Sequence, residues 1–99
     1  MAAIILSKQA KNDLDNIYTY IFQDSPQYAQ RQIEKILQRI NRIGDFPKAG
    51  RVVPELSTET IREVFENNYR IIYRISSVDN VEIITILHMS RLFVKGNFF

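Results

Sequence analysis

The hydrophobic repeat of this chain changes from a helical to a strand period past its middle, and that change constrains the fold most. From Lys8 to Ile43, apolar residues recur every three or four positions, which is the spacing of an amphipathic helix. After Thr60, runs of β-branched and aromatic residues replace that repeat. A chain of 99 residues has room for a single domain, residues 1–99, so helices and strands must share one core.

Two helices are predicted in the first half of the chain. Ser7 is expected to cap the first, because its hydroxyl can accept from a free backbone N–H of the first turn. Ser25 and Pro26 interrupt the repeat, and they suit the cap and the first position of a second helix. Gly44 is expected to end that helix, and Pro47 blocks its continuation. The short break between the helices predicts a hairpin. The predicted buried stripes are Ala10, Leu14, Ile17, Tyr18 and Ile21, and then Ala29, Ile33, Ile36, Leu37, Ile40 and Ile43.

Four segments have the composition of strands. Ala3–Leu6 is a short apolar run, and Ile61–Glu66, Tyr69–Ile75 and Val81–His88 are longer β-rich runs. The last three have short polar links, which predicts an antiparallel meander. Pro47 to Thr60 is predicted to be a loop. The order is β-α-α-β-β-β, an α+β fold with a helix hairpin packed on one face of a mostly antiparallel sheet.

Arginines dominate the polar positions of the second half. Strand alternation places Tyr69 and Tyr73 under the helices, and Arg70 and Arg74 on the opposite face. Arginine forks match phosphate and carboxylate groups, so one interpretation is a positive binding surface. The other is that these are ordinary strand charges paired with Glu63, Glu66 and Glu82. The candidate binding residues are Arg51, Arg62, Arg70, Arg74 and Arg91.

Composition excludes several kinds of site. His88 is the single histidine, and it suits either a general acid–base role or a structural role near the end of the last strand. With one histidine and no cysteine, no metal site and no cofactor are expected. A net charge of +2 and a pI of about 9.0 weakly favour a nucleic-acid partner. No signal peptide or membrane span is visible, so we expect a cytoplasmic protein with no membrane partner.

Four segments, in this order along the chain, resemble the ParE-like toxins of the RelE/ParE superfamily. Phe46 to Leu56 contains the pattern FP-x-x-GR-x-x-PE, and Ile61 to Glu63 reads IRE. Tyr69 to Ile75 reads YRIIYRI, and His88 to Arg91 has the pattern H-x-x-R. The N-terminal strand and helix hairpin fit as well, so the resemblance covers almost the whole chain.

The resemblance implies the toxin of a type II toxin–antitoxin system. The GR-x-x-PE stretch favours the ParE branch, whose members poison DNA gyrase and need only a binding surface. A cognate, ParD-like antitoxin is then the expected partner, in a hetero-oligomer with the toxin. The C-terminal segment of the antitoxin is expected to dock on the helix hairpin and the exposed sheet face of the toxin, as an amphipathic helix lies in an apolar groove.

Two alternatives remain open under the same resemblance. RelE-type members are ribosome-dependent endoribonucleases that cut messenger RNA, and here Arg70, His88 and Arg91 would be the catalytic candidates. Against that role, the second strand of the pattern offers Arg62 but no lysine. Phenylalanine, which cannot transfer a proton, stands where a terminal tyrosine is sought. These residues are Phe93, Phe98 and Phe99. The second alternative is a non-toxic homologue that only binds an antitoxin.

Overall fold

The structure is a computed structural model that describes residues 1–91 and 93. Its elements are β1 (Ala3–Leu6), α1 (Lys8–Phe22), α2 (Pro26–Asp45), a short 3-10 helix (Pro47–Ala49), β2 (Arg51–Val52), β3 (Ile61–Glu66), β4 (Tyr69–Ser77) and β5 (Asn80–His88). The sheet has the order β1-β5-β4-β3-β2, in which β1 runs parallel to β5 and the other neighbours are antiparallel. The predicted α+β fold is confirmed. The segment predicted as a loop also contains the two-residue strand β2.

Both helices begin where the sequence predicts. The hydroxyl of Ser7 accepts from the Ala10 N–H at 3.0 Å, and that of Ser25 accepts from the Tyr28 N–H at 3.1 Å. The Ser7 hydroxyl also donates to the Ile84 carbonyl at 2.6 Å. The cap of α1 therefore starts the helix and also fixes it to β5, an interior strand of the sheet. No helix among the described residues is long and apolar enough to cross a membrane.

The prediction that Gly44 ends α2 was wrong, because the helix continues through Asp45. Gly44 is buried, and its carbonyl accepts from the Ala2 N–H at 2.8 Å. A Cβ at this position would lie 3.1 Å from the Ala2 carbonyl oxygen and 3.2 Å from Cδ1 of Ile4. The glycine therefore allows β1 to approach the helix closely.

The main core lies between the helix hairpin and one face of the sheet. Ile71 and Tyr73 of β4 are fully buried there, as strand alternation predicts. Ile36 and Ile40 of α2 pack in the same cluster. The other buried members are Ala2, Ala10, Ile43, Val64, Val81, Ile83 and Ile86.

The predicted helix stripes differ from the buried faces at three positions. Tyr18 and Leu37 each remain 38% exposed, whereas Gln32 is only 3% exposed. In a helix, one residue turns about 100° from the next, so Leu37 lies well around the axis from buried Ile36. Gln32 lies on the same face as Ile36, where a polar residue was not expected.

The opposite face of the sheet carries a second apolar cluster. Ile72 of β4 is fully buried there, together with Val53 from the segment after β2. Phe93 is 3% exposed and belongs to this cluster, whereas Phe98 and Phe99 lie outside the described residues. The centre of this face is therefore covered, contrary to the expectation of an exposed sheet face. Its remaining members are Ile61, Ile84 and Leu87, with Leu56 packed against them.

Candidate functional site

Four charged side chains meet on the sheet face opposite the helices. We call Arg51, Glu55, Glu63 and Arg70 the ion-pair cluster. Arg70 Nε donates to Glu63 Oε1 at 2.7 Å, and its two terminal nitrogens donate to both oxygens of Glu55 at 2.8 and 2.9 Å. Arg51 Nε donates to the other oxygen of Glu63 at 2.6 Å. The Glu63 side chain is fully buried and that of Arg70 is 8% exposed.

The cluster contains two positive and two negative groups, so its formal charge is zero. The hydrogen bonds from Arg70 lower the pKa of Glu55 to about 2, against the effect of burial, and the Phe93 N–H adds to the lowering. The carboxylate of Glu55 in turn raises the pKa of Arg70. A buried charge is costly without a partner, and here each buried charge has an opposite charge within hydrogen-bond distance.

The cluster also holds the last described residues against the sheet. Arg70 Nη1 donates to the Arg91 carbonyl at 3.1 Å, and the Phe93 N–H donates to Glu55 at 3.0 Å. An arginine has five N–H donors, and Arg70 makes four hydrogen bonds to Glu55, Glu63 and Arg91. Little donor capacity remains for a phosphate.

The other predicted arginines lie apart from this cluster. Arg74 pairs with Glu82 at 2.9 Å, and both side chains are partly exposed. Arg62 faces the helix side of the sheet, because its register partner is Tyr73. The Arg62 guanidinium donates to three loop carbonyls, those of Lys48, Gly50 and Glu59. The Arg91 side chain is exposed and lines a groove on the helix side.

The segment before β2 is fixed to β4 by Tyr73. The Tyr73 hydroxyl donates to the Pro47 carbonyl at 2.5 Å and accepts from the Gly50 N–H at 3.2 Å. A Cβ on Gly50 would lie 2.4 Å from that hydroxyl and 2.8 Å from the Glu63 carbonyl oxygen. Burial raises the pKa of Tyr73, so the hydroxyl stays protonated. The FP-x-x-GR segment is therefore held in place by contacts that require a glycine.

A groove of about 630 Å³ lies on the helix side of the sheet, between α1, the start of α2 and the β3–β4 turn. Three tyrosines line it, and we call it the tyrosine groove. Burial raises the pKa of Tyr69, and nearby Tyr28 and Tyr20 add to the effect. The His88 ring meets the Tyr69 ring edge-on, with 5.7 Å between centroids. The polar lining includes Asn16, Gln32, Asn67, Asn68, His88 and Arg91.

The amide groups of the groove are only partly satisfied. Asn67, whose φ of 54° is in the left-handed region, donates to Gln32 Oε1 at 2.8 Å and to the Tyr28 hydroxyl at 3.2 Å. The buried Nε2 of Gln32 has no hydrogen-bond partner among the described residues. His88 Nδ1 lies 2.9 Å from the Ser90 hydroxyl. The groove therefore offers an unpaired donor and aromatic faces, and its described lining contains no assembled acid–base pair.

Sequence reasoning missed residues that complete the ion-pair cluster and the tyrosine groove. Glu55 was noted only as part of a motif, and its contact with Arg70 spans 15 positions. Gln32 and Asn67 meet across 35 positions. The one available signal was Gln32 itself, a polar residue on the buried face of α2. Within residues 1–91 and 93, no group of three or more His, Cys, Asp or Glu residues could hold a metal ion.

Comparisons with known proteins point to one family. The family model described as the ParE toxin of the type II toxin–antitoxin system parDE matches residues 4–93. A solved chain from the chromosomal ParDE TA system of P. aeruginosa has 19% sequence identity and a TM-score of 0.72, over 89% of this chain and 96% of that one. At this identity the second likeness shows the fold alone. No protein with curated annotation matches significantly.

Proposed function

The chain belongs to the ParE toxin family of type II toxin–antitoxin systems, and we propose that it poisons DNA gyrase and is neutralised by a cognate antitoxin. In this proposal the toxin performs no chemistry of its own. It binds the gyrase–DNA cleavage complex and blocks resealing, so the damage arises from the reaction of gyrase.

The engagement of Arg70 is the observation that carries the proposal. Cleavage of RNA by its 2′-hydroxyl needs a base, an acid and a group that stabilises the phosphate. Arg70 was the strand candidate for the last role, yet it is buried and bonded to Glu55 and Glu63. A phosphate would have to compete with both carboxylates for the donors of Arg70. This arrangement favours a binding role for the protein over an enzymatic one.

The surface of the helix hairpin supports an antitoxin partner. Tyr18 and Phe22 of α1 are partly exposed, with 5.6 Å between their ring centroids, and Leu37 of α2 is also exposed. Contiguous exposed apolar patches mark interaction surfaces, and the Tyr18 and Phe22 rings are adjacent on α1. An amphipathic segment of a ParD-like antitoxin laid on the hairpin would bury them, and the toxin would then exist as a hetero-oligomer.

Two assays on the purified chain test the proposal together. The first measures negative supercoiling of relaxed plasmid by gyrase, and the second measures messenger RNA cleavage on programmed ribosomes. We expect loss of supercoiling with intact RNA. Codon-spaced cuts with normal supercoiling would contradict the proposal and make Arg70, His88 and Arg91 the catalytic candidates. Inactivity in both assays would also contradict it, and would favour a homologue that only binds antitoxin.

A further inference from the structure

The tyrosine groove continues into a second depression of about 430 Å³. The two share three lining residues, Tyr28, Gln32 and Asn67, and we call them together the double groove. Arg31 and Lys35 of α2 line the second depression, and Arg91 lines the first. An aromatic and amide-bearing centre therefore has cationic side chains on both sides.

Aromatic rings are exposed within this groove. Tyr20 is 72% exposed and Tyr28 is 42% exposed. By contrast, Tyr18 lies outside the groove and packs beside Phe22. Exposed tyrosines interleaved with basic residues are typical of sites where bases of a single strand stack and phosphates meet cations.

A buried donor provides a second, independent observation. Gln32 is 3% exposed, and its Nε2 has no acceptor among the described residues. Buried polar groups are nearly always hydrogen-bonded, and each exception calls for an explanation. The Gln32 oxygen is already held by Asn67, so the site offers a donor alone. A carbonyl oxygen on a base edge is the matching acceptor.

The carboxylates of the double groove do not outweigh its cations. Asp13 lines the first depression, but its Oδ2 accepts from the Thr85 hydroxyl and the Ile86 N–H, and its Oδ1 accepts from Gln9. Glu66 lines the second depression, opposite the two positive charges of α2. An anionic strand therefore meets a net positive lining.

We propose that the double groove binds a short segment of single-stranded nucleic acid. Bases stack on Tyr20 and Tyr28, a base carbonyl accepts from Gln32, and phosphates lie near the cations of α2 and near Arg91. This inference rests on the proposed function in one respect: the strand would be the DNA of the gyrase complex. Binding by the groove is nevertheless measurable without gyrase.

The test uses fluorescence anisotropy with the purified full-length chain and labelled oligothymidine and oligouridine of roughly ten nucleotides. Tyr20→Ala should weaken binding by at least about fivefold, because one stacking contact is lost. Tyr18→Ala, the same change two positions earlier on α1, should leave binding unchanged. The double variant Arg31→Gln/Lys35→Gln should have a shallower slope of log K against log salt concentration, by about 0.7 per lost phosphate contact. Arg42→Gln on the same helix should not.

Several outcomes would overturn the inference. They are absence of binding, equal weakening by the two tyrosine variants, and competition by polyglutamate as effective as that by oligonucleotide. The last would assign the groove to an acidic protein segment. Binding that depends on Tyr20, combined with unaffected gyrase activity, would refute the proposed function and support nucleic-acid binding by the double groove. Gyrase inhibition without any oligonucleotide binding would support the proposed function and refute nucleic-acid binding by the double groove.

Discussion

The ion-pair cluster and the double groove are both polar, yet they differ in how their polar groups are satisfied. In the cluster, Arg70 and Glu63 are buried with opposite charges within 3 Å, and the formal charge is zero. In the double groove, the Gln32 amide nitrogen lacks a partner among the described residues and Tyr20 is largely exposed. Satisfied groups stabilise a fold, whereas unsatisfied ones are available to a partner. Arg70, the central arginine candidate of the sequence, thus lies in the satisfied region.

The largest expected effect comes from breaking the cluster at its centre. Arg70→Ala leaves Glu63 buried with Arg51 as its remaining partner, and removing one member of a buried pair costs about 3–5 kcal/mol. Urea denaturation followed by circular dichroism measures this loss. Arg74→Ala is the matched control, because its ion pair with Glu82 is partly exposed and contributes about 0–1 kcal/mol. Equal effects of the two variants would refute the distinction between buried and exposed arginines.

A smaller loss is expected from Gly50→Ala in the segment beside the cluster. The added methyl group would clash with the Tyr73 hydroxyl and the Glu63 carbonyl, at a cost of about 1–3 kcal/mol. Tyr73→Phe in the same chain removes one of these two clashes, so the double variant should lose less than the sum of the single variants. Strict additivity in thermal or urea unfolding would show that the two positions do not interact.

Acid titration tests the Glu55 part of the cluster. The pKa of Glu55 is lowered from 4.5 to about 2 in the folded protein. Its stabilising contribution is therefore present above pH 4.5 and is lost as the pH falls toward 2. Glu55→Gln should cost about 1–2 kcal/mol at neutral pH, since charge-assisted hydrogen bonds are lost. It should also flatten the acid dependence. A variant with the unchanged acid slope would contradict this assignment.

The smallest expected effect on stability belongs to the double groove. Tyr20 is exposed, so Tyr20→Ala should change the free energy of unfolding by no more than about 0.5 kcal/mol. The same urea experiment measures it beside Arg70→Ala. A large loss would mean that the tyrosine is part of the packing, and the contrast between the two regions would fail.

Local features of the chain could be predicted from its sequence. Periodicity identified both helices and the three long strands, and the caps at Ser7 and Ser25 act within three residues. Strand alternation placed Tyr73 and Arg70 on opposite faces. The strand β2 was missed, because two residues are too few to show any alternation. The β3–β5 meander followed from the short links.

Features that depend on distant contacts could not be predicted. The role of Gly44 is set by Ala2 and Ile4, which precede the helix hairpin in the sequence. The partner of Arg70 was expected among the strand glutamates, and Glu63 is indeed one, but Glu55 reaches it from a loop. The double groove joins residues of both helices to a turn far along the chain. Such pairings could not be predicted because they depend on how distant segments pack in the folded chain.

Gyrase-catalysed supercoiling in the presence of a Glu63→Gln/Arg70→Met variant tests the central claim most directly. This change removes both buried charges at once, which folds often tolerate better than the loss of one. Cooperative unfolding would first establish that the variant is folded. The account predicts that the folded variant inhibits supercoiling at the same dose as the parent chain. A folded variant that no longer inhibits would show that the cluster itself is the functional site.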